Sequence, residues 1–214
     1  MMNNESTYRI CSLRAAIGGA HLLLQLEVTE NGERSCESLA LLSARLSRLP
    51  QVGEIDKDTL EELRREAAIC AAIGAGLRSL GANGCSAKHL IQKLRMRGCD
   101  ADVAAEAVAE LSEKGYLREE EGALREAERG IAKLWGDRRI LADLSAKGYT
   151  GAALKYAAAR LRTEDGAARC AALMRKRRIC APVDEAEARK LFSSLTRYGY
   201  TPTEIREAMK RHFK

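Results

Sequence analysis

Aromatic side chains are scarce, with one Trp, two Phe and six Tyr making 4% of the 214 residues. A protein that holds single strands by stacking bases on aromatic faces would carry more, so any nucleic-acid contact falls to phosphates and is weak and salt-sensitive. Proline is nearly absent, at three residues, beside 46% hydrophobic and 31% charged residues. That balance describes a helix-rich globular chain rather than a disordered one. No apolar run reaches membrane-spanning length. Ala15–Leu24, behind Arg9 and Arg14, lacks a small-residue cleavage site and runs into Gln25 and Glu27, which excludes a secretion signal. The seven cysteines at positions 11, 36, 70, 85, 99, 170 and 180 are odd in number and never closer than ten residues. They form neither a disulfide framework nor a zinc site, and reduced thiols in a cytoplasmic protein are the reading they support.

Catalytic chemistry is missing too. His21, His89 and His212 fall in separate segments without ligand spacing and read as surface or boundary residues. Glu119-Glu120-Glu121 opens a helix, where carboxylates favour the macrodipole. Gly74–Gly81 follows no strand and lacks the Lys-Ser/Thr of a phosphate loop, so it reads as a loosely packed helix. No catalytic residue, metal ligand or cofactor is expected.

What the sequence does contain is a repeat. Glycines at 98, 148 and 199 lie 50 and 51 residues apart. Each follows an apolar triplet: Leu90, Ile91, Leu94; Ile140, Leu141, Leu144; Leu191, Phe192, Leu195. A capping candidate comes after each (Asp100, Thr150, Thr201), and nine residues past each glycine stands Ala107, Ala157 or Ala208. Self-similarity at this period indicates tandem three-helix units, and the small alanines allow close helix approach. The spacing predicts helices at about 119–134, 137–147 and 151–162, then 164–179, 184–198 and 202–213. The expected fold is mainly α, three tandem three-helix repeats in an elongated curved array behind a small β-hairpin-containing region. The expected segments are 1–55 (small α+β), 56–118 (linker helix and repeat 1), 119–163 (repeat 2) and 164–214 (repeat 3).

Residues 7–13 alternate, as do Leu22, Leu24, Leu26 and Val28 with Leu23, Gln25, Glu27 and Thr29. With Asn31-Gly32 as the turn before Glu33–Ser38, this gives an antiparallel sheet of two or three strands. Leu39, Leu42, Leu46 and Leu49 fall on one helical face closed by Pro50, Gly53–Asp56 reads as a linker, and Asp56 or Asp58 caps the next helix. Repeat 1 begins near Arg64, with Ile69, Ile73, Leu77 and Leu80 on its opening helix and a break over Gly81–Cys85.

The net charge of +6 is uneven, since residues 171–214 carry 11 basic and 5 acidic groups. A basic end suits a polyanion or a protein assembled on one; a solvated helix surface is the alternative. Two positions before the triplets stand Lys88, Arg138 and Arg189, and one before them His89, Arg139 and Lys190. In repeats 1 and 2 these lie in a helix's first turn, where a cation costs about 0.3–1 kcal/mol. Binding an acidic partner or common descent of the repeats would each explain them. Arg175, Lys176, Arg177 and Arg178 form a denser cluster, partly accounted for by the C-terminal end of their helix.

The stretch from Gly115 to Tyr149 resembles the RecX family of RecA regulators, whose pattern runs G-Y-L-D-D, Phe-Ala, Gly with Arg-Ile, then Leu and Lys-Gly. Gly115-Tyr116-Leu117, Ala123, Gly136, Arg139, Ile140, Leu144, Lys147 and Gly148 match it. Arg118-Glu119 replaces the acidic pair, and Gly122 replaces the Phe, which should loosen that helix. The resemblance covers about residues 66–214. It implies a non-enzymatic, monomeric, cytoplasmic regulator that binds the RecA filament on single-stranded DNA. It would modulate recombinase, ATPase and coprotease activity, inhibition being the expected direction, and so DNA repair and the SOS response. The expected contact residues are Lys88, Arg138, Arg139, Lys147, Arg175, Lys176, Arg177, Arg178, Arg189 and Lys190, with weak direct DNA binding through phosphates and no membrane contact. Two other readings are a helix-turn-helix-like binder of double-stranded DNA or transcription factor, and a helical adaptor for an unrelated protein.

Overall fold

The computed structural model of the chain describes residues 6–16, 18–81 and 84–213. Strands β1 (Thr7–Ala15), β2 (His21–Glu30), β3 (Glu33–Leu42) and β4 (Gly53–Ile55) form one antiparallel sheet in the order β3-β2-β1-β4. The β2–β3 hairpin closes through Asn31 and Gly32, both at positive φ (54° and 82°), as a two-residue turn between twisted strands requires. Leu22, Leu24, Leu26 and Val28 all face the core, in line with their alternation. In β1 the register shifts between Ile10 and Ser12. This bulge puts Leu13 on the core side with Tyr8 and Ile10 despite its odd number.

Two expectations fail in this region. Leu39–Leu49 is not a helix: β3 runs through Leu42, and only Ser43–Arg45 makes a short 3-10 turn. Pairing with β2 fixes Leu39 and Leu41 on the inner face at period two, which overrides a leucine spacing that also fits a helix. Gly53–Ile55 is not a linker but β4, paired with Tyr8–Ile10, so the sheet has four strands. Asp56 caps the following helix by accepting from Thr59 N at 2.7 Å.

Nine α-helices follow among the described residues, in three triplets: α1 (Lys57–Leu80), α2 (Ala87–Arg95), α3 (Ala101–Glu113); α4 (Glu119–Ala132), α5 (Asp137–Ala146), α6 (Gly151–Leu161); α7 (Gly166–Lys176), α8 (Glu185–Arg197), α9 (Pro202–His212). Helix α1 is continuous from Lys57 and does not begin near Arg64. Its Leu60 and Leu63 cover the sheet, while Ile69, Ile73 and Leu80 are buried and Leu77 is exposed. In the expected break, Ala82 and Asn83 lie outside the described residues. By packing, the chain forms two compact units: Met1–Ser79 with Ile91–Lys114, and Leu80–Leu90 with Gly115–Lys214.

The second helix of each triplet ends in the same way. Tyr149 N donates to Leu144 O and Gly148 N to Ser145 O; Cys99 with Gly98, and Tyr200 with Gly199, repeat the pair. Glycine supplies the left-handed residue this termination needs (φ 87°, 87° and 94°). Leu90, Leu94, Ile140, Leu144 and Leu195 are buried, as are Ala107, Ala157 and Ala208, so the repeat register is a core register. Of the three capping candidates, Thr201 forms a full capping box with Glu204, whereas Asp100 and Thr150 make no side-chain cap. Gly122 leaves no void in α4, because a methyl group there would meet the Tyr149 hydroxyl at 2.9 Å: the aromatic filler comes from the turn.

Within the first unit, Arg45 joins the 3-10 turn to two helices. It contacts Glu66 on α1 at 2.7 Å and Glu106 on α3 at 2.5 Å, and also bonds Glu110. Hydrogen bonds from Arg45 and Arg65 hold Glu106 below its ordinary value of 4.5. Burial pushes Glu110 up, but Lys114 and Arg45 together pull it below 4.5. A carboxylate depressed in the folded state stabilises above its unfolded value and loses that contribution as pH falls through the folded value. Stability should therefore drop below about pH 4.5, and more steeply in the wild type than in Arg45→Met. Denaturant midpoints from pH 7 to pH 3 check this; parallel curves for the two proteins would contradict it.

Candidate functional site

The second helix of one repeat starts against the glycine turn that ends the second helix of the next. At the first joint, Ser86 caps α2 by accepting from His89 N and donates to Lys147 O at 2.5 Å, while Lys88 packs its stem on Gly148. At the second, Gly136 N donates to Tyr198 O at 2.8 Å and Arg138 N to Gly199 O at 3.2 Å. A methyl group on Gly136 would sit 2.2 Å from the Gly199 carbonyl carbon, so only glycine allows this backbone approach. In both cases free N–H or O–H donors at a helix start meet free carbonyls at a helix end, so each satisfies groups the other leaves open.

This second joint assembles a run of cations and rings. The Arg139 guanidinium lies over Trp135 at 4.3 Å and over Tyr198 at 5.1 Å from the ring centroids. Arg177 stands 4.3 Å from the Tyr198 ring centroid and donates to its hydroxyl, and Lys133 stands 4.9 Å from Trp135. Cation–ring contacts of this kind are worth about 0.5–1 kcal/mol each where exposed. They hold guanidinium planes in place without neutralising them, so their N–H donors stay available to an anion. Among the described residues Arg138, Arg139, Arg175, Lys176, Arg177 and Arg178 form no ion pair.

The other expected residues divide. Lys147 is engaged by Glu126 at 2.6 Å and Asp143 at 2.7 Å. Burial lowers its pKa, but the two carboxylates outweigh that and raise it, so Lys147 is a paired cation. Arg189 pairs with Glu185 on exposed α8, with Lys190 beside it. Lys88 belongs to the first joint. The sequence reading missed Lys133, Trp135 and Tyr198. The available signal was an aromatic next to a basic residue at the two helix ends that the repeat brings together.

Below this surface lies Arg169, 6% exposed, bonded to Asp137 while its Nε and Nη1 have no partner. Burial raises the Asp137 pKa against the pull of Arg169. Tyr200 packs beside it, donating to Leu134 O at 2.8 Å, and burial raises its phenol well above the ordinary value. Among the described residues no group of three His, Cys, Asp or Glu could hold a metal ion, and no helix is long and apolar enough to cross a membrane.

No protein-family model matches the sequence, and no curated protein matches it. Solved structures do. A crystal structure of regulatory protein RecX is similar over 95% of this chain and 99% of its own, with TM-score 0.71 and 15% identity. The crystal structure of RecX from Lactobacillus salivarius is similar over 68% of this chain and 96% of its own, with TM-score 0.57 and 19% identity. The chain has the RecX fold.

Proposed function

We propose that the chain is a non-enzymatic cytoplasmic regulator that binds the RecA filament on single-stranded DNA. It would modulate recombinase, ATPase and coprotease activity, mainly by inhibition, and through them DNA repair and the SOS response. The observation that carries this reading is the RecX fold over nearly the whole chain. Within that fold, the unpaired cations at the second joint supply a surface for an acidic filament, and Arg138, Arg139 and Arg175–Arg178 are the proposed contacts. Lys88, Arg189 and Lys190 are secondary, and Lys147 acts in the scaffold as well.

The test uses the purified protein with RecA assembled on single-stranded DNA, beside duplex DNA alone. Pelleting with the filament well above any duplex binding at physiological salt is the expected result. Equal or tighter duplex binding would favour a direct DNA binder, and no pelleting would overturn the proposal.

A further inference from the structure

The interlocking of a helix start with a glycine turn occurs twice inside the second unit, at Gly148 and Gly199. The described residues contain three such turns and three second helices. Among them the Gly98 turn receives no second helix, and the start of α8 meets no glycine turn. A methyl group at Gly98 would touch nothing within 4 Å, although its φ of 87° matches that of Gly148. Among the described residues no hydrogen bond reaches the Arg97 carbonyl, whose counterparts at Lys147 and Tyr198 each accept one.

Both unmatched faces carry exposed apolar surface. Met96, two residues before Gly98, is 77% exposed, and Val183, just before α8, is 86% exposed. These are the two most exposed large hydrophobic side chains among the described residues. Their charges are opposite. Arg95 and Arg97 flank Met96, while Asp184, Glu185 and Glu187 follow Val183, and all five are exposed. A depression of about 300 Å³ beside the Gly98 turn is walled by Ala68, Ala71, Ala72, Ala75, Leu94 and Val103. With Arg97 and Gly98 also on its wall, it leaves room at the turn for an apolar side chain.

We propose that the Gly98 turn, with Met96, Arg95 and Arg97, receives the start of α8, with Val183 and Glu185, from a second copy of this chain. The contact extends the interface already used between repeats, with one difference. Helix α8 starts 14 residues before its glycine where the starts of the other two lie 11 before theirs, so it is longer by three residues at its start. Two different patches meet, so the association is head-to-tail and can add further copies. A single small joint must offset the lost freedom of a whole molecule, so the association is weak and shows at high concentration.

Sedimentation equilibrium of the full chain from micromolar to millimolar concentration tests this. The wild-type weight-average mass should rise past that of a dimer. Met96→Asp and Val183→Asp, both at exposed sites and checked for unchanged melting, should each weaken association by about tenfold or more. Arg95→Glu and Glu185→Arg should each stay monomeric alone and associate when mixed, which a merely destabilised protein would not do. A wild type that stays monomeric throughout, or variants that associate as well as the wild type, would overturn the proposal.

Discussion

Gly199→Ala should destabilise the chain by about 2–4 kcal/mol, against about 1 kcal/mol for Gly98→Ala. The two glycines end equivalent helices with nearly the same left-handed φ, so alanine pays the same conformational cost at each. They differ in what surrounds them. A methyl group at Gly199 would lie 2.4 Å from Arg139 N and 2.5 Å from its Cβ, where backbone must move; at Gly98 it meets nothing. Gly148→Ala should fall between, because its nearest neighbour is the Lys88 Cβ at 2.8 Å, a side-chain atom less tightly placed than the Arg139 backbone. Urea unfolding of the three variants, followed by helix signal and by Trp135 fluorescence, measures the order. Equal costs would show that the second joint contributes nothing to stability.

Arg169→Ala should cost about 3 kcal/mol, the low end for breaking a buried ion pair, because Asp137 keeps some solvent contact. The loss arises from the Asp137 carboxylate left without its partner and from the cavity in α7. Arg169 also buries two unpaired nitrogens, so the pair is not itself a strong source of stability. Arg169→Met with Asp137→Asn should therefore recover most of the loss. The pH dependence has a definite sign. Asp137 is raised in the folded state, more so once Arg169 is gone, and an acid with a raised folded value destabilises only while ionised. The deficit of Arg169→Ala should shrink as pH falls from neutral toward the Asp137 value. A deficit that is constant with pH, or a double variant no better than the single, would place the cost in packing alone.

The hairpin was legible because alternation and Asn31-Gly32 are local signals with local causes. The helix triplets were legible because the triplets, glycines and alanines recur in one register. Leu39–Leu49 misled because a leucine run satisfies both periods and only the pairing of β3 with β2 decides between them. Three residues are too few for β4 to show any pattern. The candidate surface was legible as a list of cations but not as an arrangement. Trp135 and Tyr198 lie 63 residues apart, and only the docking of Gly136 on the Tyr198–Gly199 turn brings both rings against Arg139. Lys147 and Arg169 look like the other basic residues in sequence; their carboxylate partners and burial, set by tertiary packing, make them scaffold residues.

Co-sedimentation with RecA filaments on single-stranded DNA over a range of salt tests the central claim most directly. The wild type is compared with Arg138→Glu and with a variant neutralised at Arg175, Lys176 and Arg178, all exposed and unpaired, which leaves the Arg139 and Arg177 ring contacts intact. Such surface changes usually stay within about ±0.5 kcal/mol of stability. The account predicts folded variants that bind the filament more weakly and with a shallower salt dependence, because fewer counterions are released where phosphates are the contact. Folded variants with unchanged affinity and unchanged salt slope would contradict it.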